Sequence, residues 1–162
     1  MNNTNNNDNK NYIEWDEYFM NIAILASLRS KDTTKVGSVL VLHKKVIGVG
    51  YNGFPSGVDE TLFPKTREGK WIDTKYPYTI HSELNAIINS TIHDITGASL
   101  YVNLFPCNEC AKIIVQKKIK EVIYLSDKYH DVDAYIASRK IFNAANIKTR
   151  KYEGNILVKC IQ

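Results

Sequence analysis

Cysteine is scarce in this chain, three among 162 residues, which is too few for a complete disulfide framework. No apolar stretch approaches the roughly 20 residues needed to cross a bilayer as a helix, and the N-terminus has no basic region followed by an apolar run. These absences exclude a disulfide-stapled scaffold, a helical membrane span and a recognisable export signal, so the expected setting is the cytoplasm, with no membrane partner. A strong excess of one charge is also missing, with 21 basic residues against 17 acidic ones. The basic residues are scattered through Arg29-Ser30-Lys31, Lys44-Lys45, Lys117-Lys118-Ile119-Lys120 and Lys148-Thr149-Arg150-Lys151. No clustered basic face or aromatic platform results, so a nucleic-acid partner is not expected, although a few of these cations suit a phosphate.

What is present has a clear order along the chain. The opening run Met1-Asn2-Asn3-Thr4-Asn5-Asn6-Asn7-Asp8-Asn9 is of low complexity and has nothing to bury, so residues 1–12 are expected to be a disordered tail. Residues 13–162 then form one domain, a usual size for a single core. From Trp15 to Leu28 the apolar residues recur at helical spacing, predicting an amphipathic helix that ends near Arg29. Val36–Leu42 and Val46–Tyr51 are β-rich runs joined as a hairpin through His43-Lys44-Lys45. A turn-rich, polar stretch follows from Asn52 to Tyr78, read as a long functional loop. Thereafter helices near 81–91, 107–117 and 131–145 alternate with strands near 98–104, 121–125 and 147–152. The expectation is an α/β fold with a mixed central sheet and packed helices. The tail Asn155–Cys160 either adds an edge strand or covers a partner.

The chemistry concentrates in two short segments, His81-Ser82-Glu83 and Pro106-Cys107-Asn108-Glu109-Cys110. One imidazole and two thiolates leave a fourth tetrahedral position open, which distinguishes a catalytic zinc site from a closed structural one. Cys107 and Cys110 are three apart, so at the start of a helix their sulfurs lie on one face and can share an ion. Both ligand segments precede helical patterns, and the positive end of a helix favours thiolate over thiol. Glu83 is two residues from His81, a separation that places it beside the metal and not on it, free to move protons. The competing readings are a redox dithiol and half of a structural clip. A clip wants a fourth ligand, and Cys160, His43, His93 and His130 all stand outside finger-like spacing.

The order H-x-E then P-C-x-x-C matches the signature of zinc-dependent nucleobase deaminases. Together with Tyr18-Phe19-Met20, Arg29-Ser30-Lys31-Asp32, Gly50-Tyr51-Asn52-Gly53, Asp73-Thr74-Lys75-Tyr76-Pro77-Tyr78, His81 to Ile87, Leu104 to Lys112 and Ser126-Asp127-Lys128-Tyr129-His130-Asp131, it makes the chain resemble the deoxycytidylate (dCMP) deaminases over residues 15–152. The resemblance implies a single deaminase domain with the three-layer cytidine-deaminase-like fold, a five-stranded mixed sheet with helices on both faces. It implies Zn²⁺ held by His81, Cys107 and Cys110, with Glu83 as the acid–base residue. It also implies conversion of dCMP to dUMP with loss of ammonia, supplying dUMP for thymidylate synthesis.

Further roles follow from the same resemblance. Asn52 would bind the sugar 3′-hydroxyl, Ser82 would meet the pyrimidine through its backbone N–H, and Phe105 belongs to the substrate site. Arg29, Lys128 and Tyr129 are the candidates for the 5′-phosphate, although Asn52-Gly53 also reads as a turn and Arg29 as a helix-end cation. Ser82 departs from the Ala more frequent in the motif. Gly50, Tyr51, Asn52 and Gly53 would bind a triphosphate effector, dCTP with Mg²⁺ as activator and dTTP as inhibitor, in a homo-oligomer expected to be a hexamer. Rival functions are deamination of another free cytosine nucleotide or nucleoside, editing of a nucleic acid, and a noncatalytic zinc-stabilised module.

Overall fold

In a computed structural model the described residues are 11–159; the Asn-rich run Met1–Asn9 and Cys160 lie outside them. Helix α1 spans Trp15–Ser27 and turns one apolar stripe inward, with Phe19, Met20, Ala23 and Ile24 buried. The hairpin follows as β1, Gly37–Leu42, and β2, Lys45–Tyr51. Its turn is His43-Lys44, and both residues have positive φ, the backbone that a two-residue hairpin of matching twist requires. The later elements are α2 (Ser82–Ile88), β3 (Ser99–Leu104), α3 (Asn108–Gln116), β4 (Glu121–Ser126), α4 (Asp133–Ala144) and β5 (Lys148–Lys151).

The strands form one five-stranded sheet in the order β2-β1-β3-β4-β5. β1 runs antiparallel to β2 and β3, whereas β3, β4 and β5 are parallel, so the sheet is mixed as expected. Alternation of side chains along each strand divides the core in two. Val39, Val41, Tyr101 and Ile123 pack with Phe19, Met20 and Ile24 of α1 on one face. Leu40, Leu100, Val102 and Val122 pack with Ile87, Ala111, Ile114 and Phe142 on the other, beneath α2, α3 and α4. The outcome is three layers with helices on both faces.

Two glycines bring α2 unusually close to the sheet. A Cβ on Gly48 would stand 2.3 Å from the carbonyl oxygen of Ala86, and one on Gly50 2.3 Å from Ala86 N and from Ser82 O. The start of α2, which carries His81 and Glu83, is thereby laid directly on β2. The loop from Asn52 to Tyr78 is more organised than its composition predicts: it holds two 3₁₀ turns, Glu60–Leu62 and Trp71–Asp73, and a chain of rings Phe54–Phe63–Tyr78 with centroids 5.7 and 4.8 Å apart. It returns through an isolated bridge, Gly53 to Ile80, which fixes how the chain enters α2. The tail adds no strand over residues 155–159. Asn21 of α1 ties it down, accepting from Leu157 N at 2.7 Å and donating to Asn155 O at 3.1 Å.

Candidate active site

His81 is the N-cap residue of α2 and Cys107 that of α3, so two helix starts converge where the C-terminal end of β3 delivers the chain. His81 Nδ1 lies 3.4 Å from Cys107 Sγ and 3.4 Å from Cys110 Sγ, and all three donor atoms fall within 4.8 Å of one another. Bonds of about 2.0 Å to nitrogen and 2.3 Å to sulfur at tetrahedral angles put such atoms roughly 3.5 Å apart, so the residues present fit zinc. Cys107 is held down near 4, first by the hydrogen bond from Cys110 and then by His81, against its burial. His81 is pushed up to about 9, mainly by the Cys107 thiolate, while the Cys107 contact and burial drive the Cys110 thiol well above its usual range. Ligation needs all three deprotonated, so zinc displaces the protons that His81 and Cys110 hold and binds less well as pH falls.

Glu83 follows in the first turn of α2 and is 4 % exposed. Burial pushes its carboxyl up, partly opposed by the His81 charge. Its Oε2 accepts from the Ser82 hydroxyl at 3.1 Å, and that hydroxyl stands 2.6 Å from Ser38 Oγ on β1. The Ser that replaces the motif's usual Ala therefore joins a short buried chain, Ser38–Ser82–Glu83, that orients the carboxylate. No sequence signal pointed to Ser38.

A cavity of about 440 Å³ opens over this cluster. Of the residues expected at the substrate site, Asn52, Ser82, Phe105 and Tyr129 line it beside His81, Glu83 and Cys107. Phe105 is 2 % exposed, crosses the rings of Tyr124 and Phe142 edge-on, and carries the Arg139 guanidinium on its face at 4.5 Å. Asn52 is a clamp. Its Oδ1 accepts from Val36 N at 2.9 Å, its Nδ2 donates to Thr34 O at 2.9 Å, and its carbonyl accepts from Ser30 Oγ at 2.8 Å. These bonds anchor the segment between α1 and β1 against the end of β2 and leave one Nδ2 hydrogen for a ligand.

The two other phosphate candidates sit elsewhere. Lys128 lies over the Tyr129 ring at 5.0 Å and is absent from the cavity wall. Arg29 is exposed and lines a second cavity of about 320 Å³, together with Lys31, Tyr51, Gly53, Phe54 and Lys65. Tyr51, Asn52 and Gly53 of the expected effector motif line this second cavity, whereas Gly50 lines neither, being covered by α2. The cavities adjoin through Asp32, Asn52, Lys75 and Thr79, which line both.

Sequence reasoning gave no role to Asp32, Arg67, Lys75 or Tyr135, all of which line the first cavity. Lys75 Nζ bonds both carboxylate oxygens of Asp32 in a pair whose side chains are 10 % and 8 % exposed. Burial alone would push Asp32 up, but the hydrogen bonds from Lys75 and Thr34 N–H and the charges of Lys75 and Arg67 hold it below the usual range. Lys75 belongs to the segment Asp73 to Tyr78 that carries part of the resemblance, and that was the available signal.

The chain is similar to known proteins over most of its length. The sequence model of a family described as "cytidine and deoxycytidylate deaminase zinc-binding region" matches residues 13–126. A human protein named deoxycytidylate deaminase is 52 % identical over 87 % of this chain and 81 % of its own length. A Drosophila melanogaster protein named probable deoxycytidylate deaminase is 41 % identical over 88 % of this chain and 74 % of its own. Among solved structures, a cyanophage S-TIM5 dCMP deaminase in complex with dCMP and dUMP matches with a TM-score of 0.69 and 26 % identity, covering 87 % of this chain and 100 % of that one. With the five-stranded fold, the buried Glu83 and the His81, Cys107, Cys110 trio, these likenesses establish that the chain belongs to the zinc-binding cytidine and deoxycytidylate deaminase family.

Proposed function

We propose that this protein hydrolyses dCMP to dUMP and ammonia, providing dUMP for thymidylate synthesis. The observation that carries the reading is Glu83, a carboxylate 4 % exposed beside the three ligands and on the wall of the cavity. The relatives named deoxycytidylate deaminase support the choice of substrate. Zinc, when bound by His81, Cys107 and Cys110, acts as a Lewis acid that brings the pKa of a water to about 7. Glu83 takes a proton from the attacking water and delivers it to N3 of the pyrimidine. With the water oxygen bonded to C4, Glu83 takes the second proton from that oxygen and gives it to the amine as the C4–N bond breaks, so water and dCMP become dUMP and ammonia. Ser38 and Ser82 keep the carboxylate aimed, and Phe105 with Tyr135 excludes bulk water from the base.

The second cavity supports a regulatory extension. It is lined by Arg29, Lys31, Lys65 and Lys75 against Asp32 and Glu60, a net positive wall suited to an anion of several charges. In this reading it takes dCTP with Mg²⁺ as activator and dTTP as inhibitor, with Tyr51 and Gly53 at its edge. The protein acts as a homo-oligomer, a hexamer, and the exposed Trp15, Tyr18, Leu25 and Val49 of α1 and β2 support self-association. Among the described residues, no helix is long and apolar enough to cross a membrane. The test is ammonia release from dCMP, CMP, dCTP, deoxycytidine and single-stranded DNA. The reading requires dCMP to be the preferred substrate; preference for any other member of that panel overturns it.

A further inference from the structure

Two cations besides the metal ligand His81 line the catalytic cavity, Arg67 and Lys75, and they differ in how fully their charge is neutralised. Lys75 is closed: both oxygens of Asp32 meet its ammonium, and neither side chain is more than 10 % exposed. Arg67 lies 3.6 Å from the same carboxylate, a distance beyond a hydrogen bond, and its side chain is 40 % exposed. One of its terminal nitrogens donates to Thr34 Oγ1. A guanidinium has five N–H donors in a planar fork, so most remain available to a ligand.

Thr34 extends this arrangement. Its hydroxyl accepts from Arg67, and Tyr129, whose phenol has a hydrogen to donate, lines the same cavity. Arg67, Thr34 and Tyr129 thus share one cavity wall, which carries a charged fork and a neutral donor. That is the donor set a tetrahedral, doubly charged phosphate accepts best. Arg29 lies on the neighbouring cavity and Lys128 on neither wall, so Arg67 is the cation of the catalytic wall whose charge no short ion pair satisfies.

We propose that Arg67 binds the 5′-phosphate of the substrate nucleotide, with the Tyr129 hydroxyl as second donor, and so makes this site prefer a nucleotide over its nucleoside. The assignment rests on the reading of the site as one that deaminates dCMP. Arg67 is a specificity residue here: it acts on the end of the substrate remote from Glu83, so its contribution falls on binding more than on the chemical step.

The experiment measures kcat/KM for dCMP and for deoxycytidine with zinc-loaded wild type, Arg67→Ala and Arg67→Lys. Loss of a charge-assisted pair to phosphate raises KM for dCMP about tenfold to a hundredfold. Arg67→Ala should therefore cut the dCMP-to-deoxycytidine ratio by at least tenfold through KM, with deoxycytidine turnover within about twofold of wild type. Arg67→Lys, keeping the charge without the fork, should recover part of the ratio. Equal losses on both substrates in Arg67→Ala, or an unchanged ratio, overturn the role of Arg67 while the dCMP reading stands. A wild type that favours deoxycytidine over dCMP overturns both.

Discussion

The catalytic cavity and its neighbour meet along Asp32, Asn52, Lys75 and Thr79, yet they are built from different kinds of chain. The first has its chemistry on regular elements: His81 and Glu83 on α2, Cys107 at the start of α3, Phe105 at the end of β3. The second draws on irregular chain, Arg29 to Thr33 after α1 and Gly53 to Lys65 after β2. The floor of the first is laid rigidly by Gly48 and Gly50 against α2, as general acid–base chemistry requires. Because the two cavities share four residues, a ligand in one would touch wall residues of the other.

The comparison breaks most completely at the metal. Cys107→Ser removes a ligand, so zinc content should fall well below about one per chain and turnover should drop to background, with thermal stability falling too. Metal analysis together with activity checks this, and tight zinc retention contradicts the coordination. On the proposed regulation, dCTP binding measured by calorimetry on protein still folded should survive.

A smaller effect acts on the wall itself. Asp32→Asn leaves Lys75 charged and nearly buried without its partner, a change that typically costs about 3–5 kcal/mol. Chemical denaturation should show that loss, and because both cavities use the wall, dCMP KM and effector half-saturation should shift together. A shift confined to one cavity separates the two sites. The sign with pH is fixed: Asp32 is held below its ordinary 3.8, so its stabilisation is complete above that value and is lost as pH falls through the lower native one. In Asp32→Asn that acid dependence should disappear.

The smallest effect sharpens the distinction between the sites. If the second cavity takes the effector as proposed, Tyr51→Ala, which alters that cavity only, should abolish a dCTP-induced shift of the dCMP saturation curve, about 5- to 150-fold for typical couplings, while zinc content and maximal rate persist. Saturation curves with and without dCTP and dTTP provide the measurement, and an unaltered response to both effectors would remove Tyr51 from that cavity's function.

Legibility in the sequence followed the same division. The ligands and Glu83 were readable because their geometry is local: a residue spacing and a helix start fix where His81, Cys107 and Cys110 point. Helix α1, the hairpin and the alternating elements were readable because burial imposes a period. The 3₁₀ turns at Glu60–Leu62 and Trp71–Asp73 were not, since three residues carry no period. Arg67 and Lys75 reach the catalytic wall through contacts with Thr34 and Asp32 more than thirty residues away, which no spacing encodes. Arg29 was assigned from the resemblance carried by Arg29-Ser30-Lys31-Asp32, and the course of the chain after α1 takes it to the other cavity. One legible sign went unused: Gly48 and Gly50 are two apart on a strand and so mark one face where a helix backbone must come close.

The central claim is that Glu83 moves protons beside the metal without holding it. Glu83→Gln keeps size and burial but cannot accept the water's proton. Measured on zinc-loaded protein with dCMP, it should retain about one zinc per chain while kcat falls on the order of a hundredfold to ten-thousandfold. A variant with full zinc and a near-normal rate would contradict the account.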